Sequence, residues 1–131
     1  MMQIIERYFD GFNAGDVDAM LACLSEDVAH HVNEGQVRTG RAAFGDFCAH
    51  MNRCYKETLS DMVILTNPSG TRAAAEYVVN GSYRVTDAGL PEARGQSYRL
   101  PAGSFFDVRD GQITRVTTYY NLADWVRQVS S

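Results

Sequence analysis

The stretch QSYRLPAGSFFDVRDGQITRVTTYYN, residues 96–121, decides the fold. Two β-prone runs, 96–109 and 112–121, alternate large apolar side chains with small or polar ones, the period of a strand with one buried face. Asp110-Gly111 lies between them. That dipeptide suits the two positive φ angles of a two-residue hairpin, so the runs are predicted to pair antiparallel. Working outward, residues 71–85 make another run, joined to 96–109 through a polar loop with Gly89, Pro91 and Gly95. Residues 58–66 make one more, closed by the turn Asn67-Pro68-Ser69-Gly70.

The N-terminal part has a helical period instead. Ile4, Tyr8 and Phe12 recur at steps of four beside Ile5 and Phe9, one broad apolar stripe. Asn13-Ala14-Gly15 ends it, and Asp16 is a good N-cap for a second short helix presenting Val17, Met20, Leu21 and Leu24. Asp27 to Gly35 reads as a short strand. After Thr39 a third helix places Phe44, Phe47, Cys48, Met51 and Tyr55 on one side, and a last helical piece carries Trp125 and Val129. Helices followed by a β-meander predict an α+β fold, a single domain over residues 1–131 with a curved antiparallel sheet wrapped around the N-terminal helices.

Composition narrows the partners. The 131 residues carry 12 Lys+Arg against 16 Asp+Glu, a formal net charge of −4 with no basic run. Nucleic acid and anionic membrane are not expected as partners, and no apolar stretch approaches the ~20 residues that span a bilayer. The start MMQIIERYFD lacks the pattern of a secretion signal. Three cysteines, Cys23, Cys48 and Cys54, are odd and sparse, which favours reduced thiols and a cytoplasmic location. Cys48, His50 and Cys54 resemble metal ligands on paper. On a helix, however, Cys48 points away from the other two, so no metal site is expected on that trio. No phosphate loop, dinucleotide fingerprint or nucleophile elbow occurs, and no cofactor is expected.

The order of elements resembles the nuclear transport factor 2-like superfamily, and within it the ketosteroid isomerase and polyketide-cyclase-like branch. The matching segments are Glu6-Arg7-Tyr8 with Phe12-Asn13-Ala14-Gly15-Asp16, Ser25-Glu26-Asp27-Val28, Arg38-Thr39-Gly40, Ser104-Phe105-Phe106-Asp107-Val108 and Asp110-Gly111-Gln112-Ile113. The resemblance implies a cone-shaped fold with a pocket between the first helix and the concave sheet face. Ketosteroid isomerase uses an aspartate base with a tyrosine and a protonated aspartic acid as oxyanion hole. The resemblance puts Tyr8 on that tyrosine, Val32 or His31 on the base, and Ser104 on the protonated aspartate. One of the three catalytic groups is thereby kept, and both aspartates are replaced.

Strand parity nominates further candidates. Val28, His30 and Val32 share the apolar face of the first strand. His30 is thus an acid–base candidate or a hydrogen-bonded wall residue, and His31 belongs to the convex side. The resemblance turns Glu76 and Asn80 toward the pocket, where Glu76 is a desolvated base or the partner of Arg72 or Arg99. Tyr8 is an oxyanion donor or a core aromatic, and Ser104 a weaker donor. Tyr98, Leu100, Val116, Tyr120 and Trp125 are expected to shape the pocket with Val32 and Asn80. Tyr77, Arg99, Phe105 and Tyr119 fall on the convex face, which suits a homodimer contact. These residues point to a cofactor-independent isomerase, lyase or cyclase that moves a proton on a hydrophobic carbonyl compound. The alternative is a non-catalytic small-ligand-binding or dimerisation module of the same fold.

Overall fold

The computed structural model describes residues 2–130. The apolar stripe forms helix α1 (Met2–Ala14), with Ile4, Ile5, Tyr8 and Phe9 buried. Asp16 caps α2 (Val17–Leu21) by accepting a hydrogen bond from the Ala19 N–H at 3.0 Å. There follow β1 (Leu24–Val32), β2 (Arg38–Thr39), α3 (Arg41–Cys54), β3 (Tyr55–Thr66), β4 (Arg72–Tyr83), β5 (Ser97–Arg109), β6 (Gln112–Tyr120) and α4 (Leu122–Ser130). Asp110 and Gly111 have φ of 52° and 74°, the hairpin geometry their sequence favours.

One sheet runs in the order β2-β1-β6-β5-β4-β3. All its pairs are antiparallel except β1 with β6, which is parallel and joins the N-terminal part to the meander. The edge strand β3 is covered from α1. Asn13 Oδ1 accepts from the Leu59 N–H at 2.7 Å, and Asn13 Nδ2 donates to the Leu59 carbonyl at 3.1 Å. One amide side chain thereby satisfies both backbone groups that an edge would leave open.

Two hydrophobic clusters fill the concave side. The first joins α1, α2 and α3 to the sheet through Ile5, Tyr8, Phe9, Phe44 and Phe106. The second gathers Cys54, Tyr55, Tyr83, Tyr98, Leu100 and Trp125 under α4. They are called here the floor and the mouth of the cone.

Pairing register corrects one expectation. Residues directly opposite in an antiparallel pair point to the same face. Ala75 lies opposite Ser104, Tyr77 opposite Ala102 and Val79 opposite Leu100, so this β4 set faces inward with those partners. Glu76 lies opposite Gly103 and Asn80 opposite Arg99, on the convex side, and Glu76 is exposed. Tyr77, expected outside, is buried inside. The outcome follows the cost of burial: a phenol with a hydrogen-bond partner is far cheaper to bury than an unpaired carboxylate.

Candidate active site

At the floor, the Tyr8 ring packs edge-on against Phe9 and Phe106, with centroids 5.1 and 5.6 Å away. Burial holds its hydroxyl well above the ordinary phenol value. His30 faces inward, 3% exposed, with its ring 4.6 Å from Phe44 and 4.7 Å from Phe47. Burial, with lesser contributions from Arg38 and His31, lowers its pKa to about 4. A neutral imidazole results, and its buried Nδ1 has no hydrogen-bond partner. Such a ring can exchange hydrogen bonds but does not hold a proton near pH 7. Tyr8 and His30 both touch Phe44. Glu76 does not join them.

In the middle of the sheet, Ser104 Oγ hydrogen-bonds Tyr77 Oη at 2.7 Å and Thr118 Oγ1 at 2.8 Å. The Ser104 hydroxyl, 1% exposed, is therefore already engaged within the wall. Val32 pairs with Thr118, and Val116 with both His30 and Phe106, so both valines lie on the concave side.

The mouth holds a group that sequence reading missed. Tyr55, Glu57 and Leu59 alternate inward on β3, because the strand starts at Tyr55 rather than at residue 58. Glu57 pairs with Gly81, and Gly81 with Tyr98, which sets the three in one row across the sheet. A Cβ on Gly81 would lie 2.3 Å from Tyr98 Cζ. Glycine therefore lets the Tyr98 ring cross β4, and its hydroxyl donates to Glu57 Oε2 at 2.5 Å. Burial pushes the Glu57 carboxyl above the usual value of 4.5, while the Tyr98 bond opposes part of the rise. Burial also raises the Tyr98 and Tyr120 phenols, and the Glu57 charge raises both further. Extending the two-residue period back from Leu59 would have found Glu57.

The C-terminal helix covers this end. Trp125 packs on Tyr83 at 4.9 Å, Tyr55 at 5.9 Å and Tyr98 at 6.0 Å. Gln128 fixes the helix to β5, accepting from the Arg99 N–H at 3.0 Å and donating to the Arg99 carbonyl at 2.9 Å. Two open depressions flank it. One, of about 590 Å³, is lined by Lys56, Thr58, Asn80, Arg99 and Gln128 and reaches Gly81 and Tyr98. The other, of about 540 Å³, is lined by Asn33, Glu34, Tyr119, Tyr120, Asn121 and Leu122. Asn80 thus belongs to the outer wall, where its Nδ2 donates to Ser60 Oγ at 2.9 Å.

A hydrophobic concave face, a carboxyl raised by burial and phenols raised by burial form a set suited to enolate chemistry. The family model for the SnoaL-like domain matches residues 5–116. The chain belongs to the SnoaL-like family. A crystal structure of a candidate polyketide cyclase from Silicibacter sp. TM1040 is 72% identical, with a TM-score of 0.96 over 98% of this chain and 94% of that one. Another, from Xanthomonas campestris pv. campestris, is 58% identical, with a TM-score of 0.95 over 98% and 95%. A nuclear transport factor 2-like protein from Burkholderia xenovorans LB400, 16% identical with a TM-score of 0.78 over 98% and 94%, shares the fold. No curated protein matches this SnoaL-like chain.

The metal expectation also meets a finding. Cys48 does turn away, into the first cluster. His50 and Cys54 do share a helix face, and Asp87, 37 residues beyond His50, joins them from the loop after β4.

Proposed function

We propose that this SnoaL-like domain is a cofactor-independent isomerase, lyase or cyclase that moves a proton at the carbon next to a carbonyl in a hydrophobic compound. The observation that carries the reading is the Glu57–Tyr98 pair, a carboxyl raised by burial and set among phenols at the mouth of an apolar cone. Glu57 as carboxylate takes the proton from carbon and, as carboxylic acid, returns it at another position. The Tyr120 phenol, which has no side-chain hydrogen bond among the described residues, donates to the developing enolate oxygen. His30, Tyr8 and Ser104 are buried in the floor and wall, where they close the far end of the apolar site. The similarity to structures described as candidate polyketide cyclases supports a compound with several keto groups.

The test is exchange of carbon-bound protons for deuterium, followed by NMR, on a panel of hydrophobic 1,3-diketones and β-keto esters. Glu57→Gln is expected to slow exchange by about 10²–10⁴-fold, the size of a lost general base, whereas Glu76→Gln leaves it unchanged. Equal rates in wild type and Glu57→Gln would remove Glu57 from the chemistry. The alternative, a non-catalytic binder of the same fold, is favoured by one observation: the floor is filled by its own aromatic rings. Ligand binding without exchange would select it.

The proposal extends to a second copy of the chain on the convex face. Leu65 is 64% exposed there, beside Val63, Phe105 and Tyr119. Phe105 and Tyr119 contact each other 5.9 Å apart. Ion pairs of both signs flank the patch, Asp61 with Arg99 and Arg72 with Asp107, so a two-fold contact can set opposite charges against each other. A cytoplasmic setting is proposed from the three free, buried cysteines. Among the described residues, no helix is long and apolar enough to cross a membrane.

A further inference from the structure

We propose that His50, Cys54 and Asp87 bind a divalent transition-metal ion, with Zn²⁺ the best match to a nitrogen, sulfur and carboxylate donor set. Their donor atoms all lie within 4.8 Å of one another. His50 and Cys54 stand one helical turn apart at the end of α3, and Asp87 arrives from the loop between β4 and β5. His50 Nε2 donates to Asp87 Oδ1 at 2.9 Å, so the two ligand atoms already face each other across one proton. A tetrahedral zinc with bonds of about 2.0–2.3 Å holds its ligands roughly 3.3–3.8 Å apart. Replacing that proton by the ion therefore needs shifts of about 1 Å.

Two features suit the residues to this role beyond proximity. The carboxylate is held from behind, because Tyr55 Oη donates to Asp87 Oδ2 at 2.7 Å and the Asp87 N–H donates to Tyr83 Oη at 2.9 Å. Outer partners of this kind orient metal ligands and strengthen binding. The site is also closed inside and open outside. Cys54 is fully buried, whereas the His50 and Asp87 side chains are 40% and 19% exposed, which leaves a path for the ion and a fourth position for water. On binding, the Cys54 thiol releases its proton and the remaining His50 proton moves to Nδ1. Nδ1 lies at the surface, 3.5 Å from an Arg53 nitrogen, so Arg53 must swing aside for water to accept that proton. Affinity should accordingly rise with pH.

The experiment titrates chelator-treated full-length protein with Zn²⁺ alone, read by thermal unfolding, and with Co²⁺, read by the thiolate-to-cobalt charge-transfer absorption. Wild type is expected to show a raised melting temperature with Zn²⁺ and the absorption band with Co²⁺. Cys54→Ala should lose the band, and His50→Ala, altered at a half-exposed position, should lose both signals. Tyr55→Phe should weaken binding about 10–100-fold. Absence of the band in wild type would overturn the assignment. So would a band and stabilisation that survive in both His50→Ala and Asp87→Asn.

Discussion

The floor and the mouth of the cone are both aromatic and both buried, yet they are built on different terms. At the floor, Tyr8, Phe9, Phe44 and Phe106 meet edge to face, and the polar atom of His30 among them is left without a partner. At the mouth, the hydroxyls of Tyr55, Tyr83 and Tyr98 each donate to a named acceptor: Asp87, the Pro91 carbonyl and Glu57. The floor is a packing device that excludes charge. The mouth retains a carboxyl, Glu57, beside the Tyr98 and Tyr120 phenols, whose pKa values burial and the Glu57 charge raise. The difference teaches where to look for proton transfer in such a cone: at the end where a buried carboxyl meets tyrosine hydroxyls, not where aromatic rings are densest.

The largest effect on stability is expected from the floor. Phe106 is fully buried against Tyr8 and Phe9, so Phe106→Ala should cost about 3–5 kcal/mol in urea unfolding while leaving the Glu57 carboxyl raised. A loss well under ~2 kcal/mol would mean that the floor is loosely packed and the contrast false. Next comes pH. His30 has its pKa lowered from 6.5 to about 4 in the folded chain, so between those values the unfolded chain takes up a proton that the native state refuses. Its stabilising contribution is complete above pH 6.5 and is lost as pH falls toward 4, to a total of roughly 3 kcal/mol. His30→Phe should flatten that part of the stability–pH curve, and parallel curves would show that the ring is hydrated. The smallest effect belongs to the mouth. Gly81→Ala forces the Tyr98 ring aside at a cost of about 1–3 kcal/mol, and it should drive the Glu57 carboxyl further up by removing the bond that opposes its rise. Unchanged stability would mean that the ring does not cross β4.

Much of this architecture can be read from residues 96–121 and the helical stripe, because alternation, caps and the Asp110-Gly111 turn are local signals. What cannot be read locally is register. Whether Glu76 or Tyr77 faces inward depends on which β5 residue lies opposite, and that is set by how the loop from Arg84 to Gln96 closes. The resemblance turned Glu76 inward, and pairing with Gly103 turns it outward. The parallel joining of β1 to β6 and the short β2 left no sequence mark strong enough to place them. The inward placement of Tyr8, His30 and Ser104 was legible because they sit amid apolar neighbours of the right period. Glu57 was missed because the helix-to-strand boundary was drawn three residues late, at Thr58 instead of Tyr55. Asp87 was missed because its companions come from a distant helix.

The most direct test is a carbon-13 NMR titration of the Glu57 side-chain carboxyl in wild type and in Tyr98→Phe, with Glu57→Gln to identify the signal. A carboxyl raised by burial and held down in part by a phenol should titrate above 4.5 in wild type, and higher still when the hydroxyl is removed. A midpoint at or below 4.5 that Tyr98→Phe does not move would contradict a proton-handling carboxyl at the mouth.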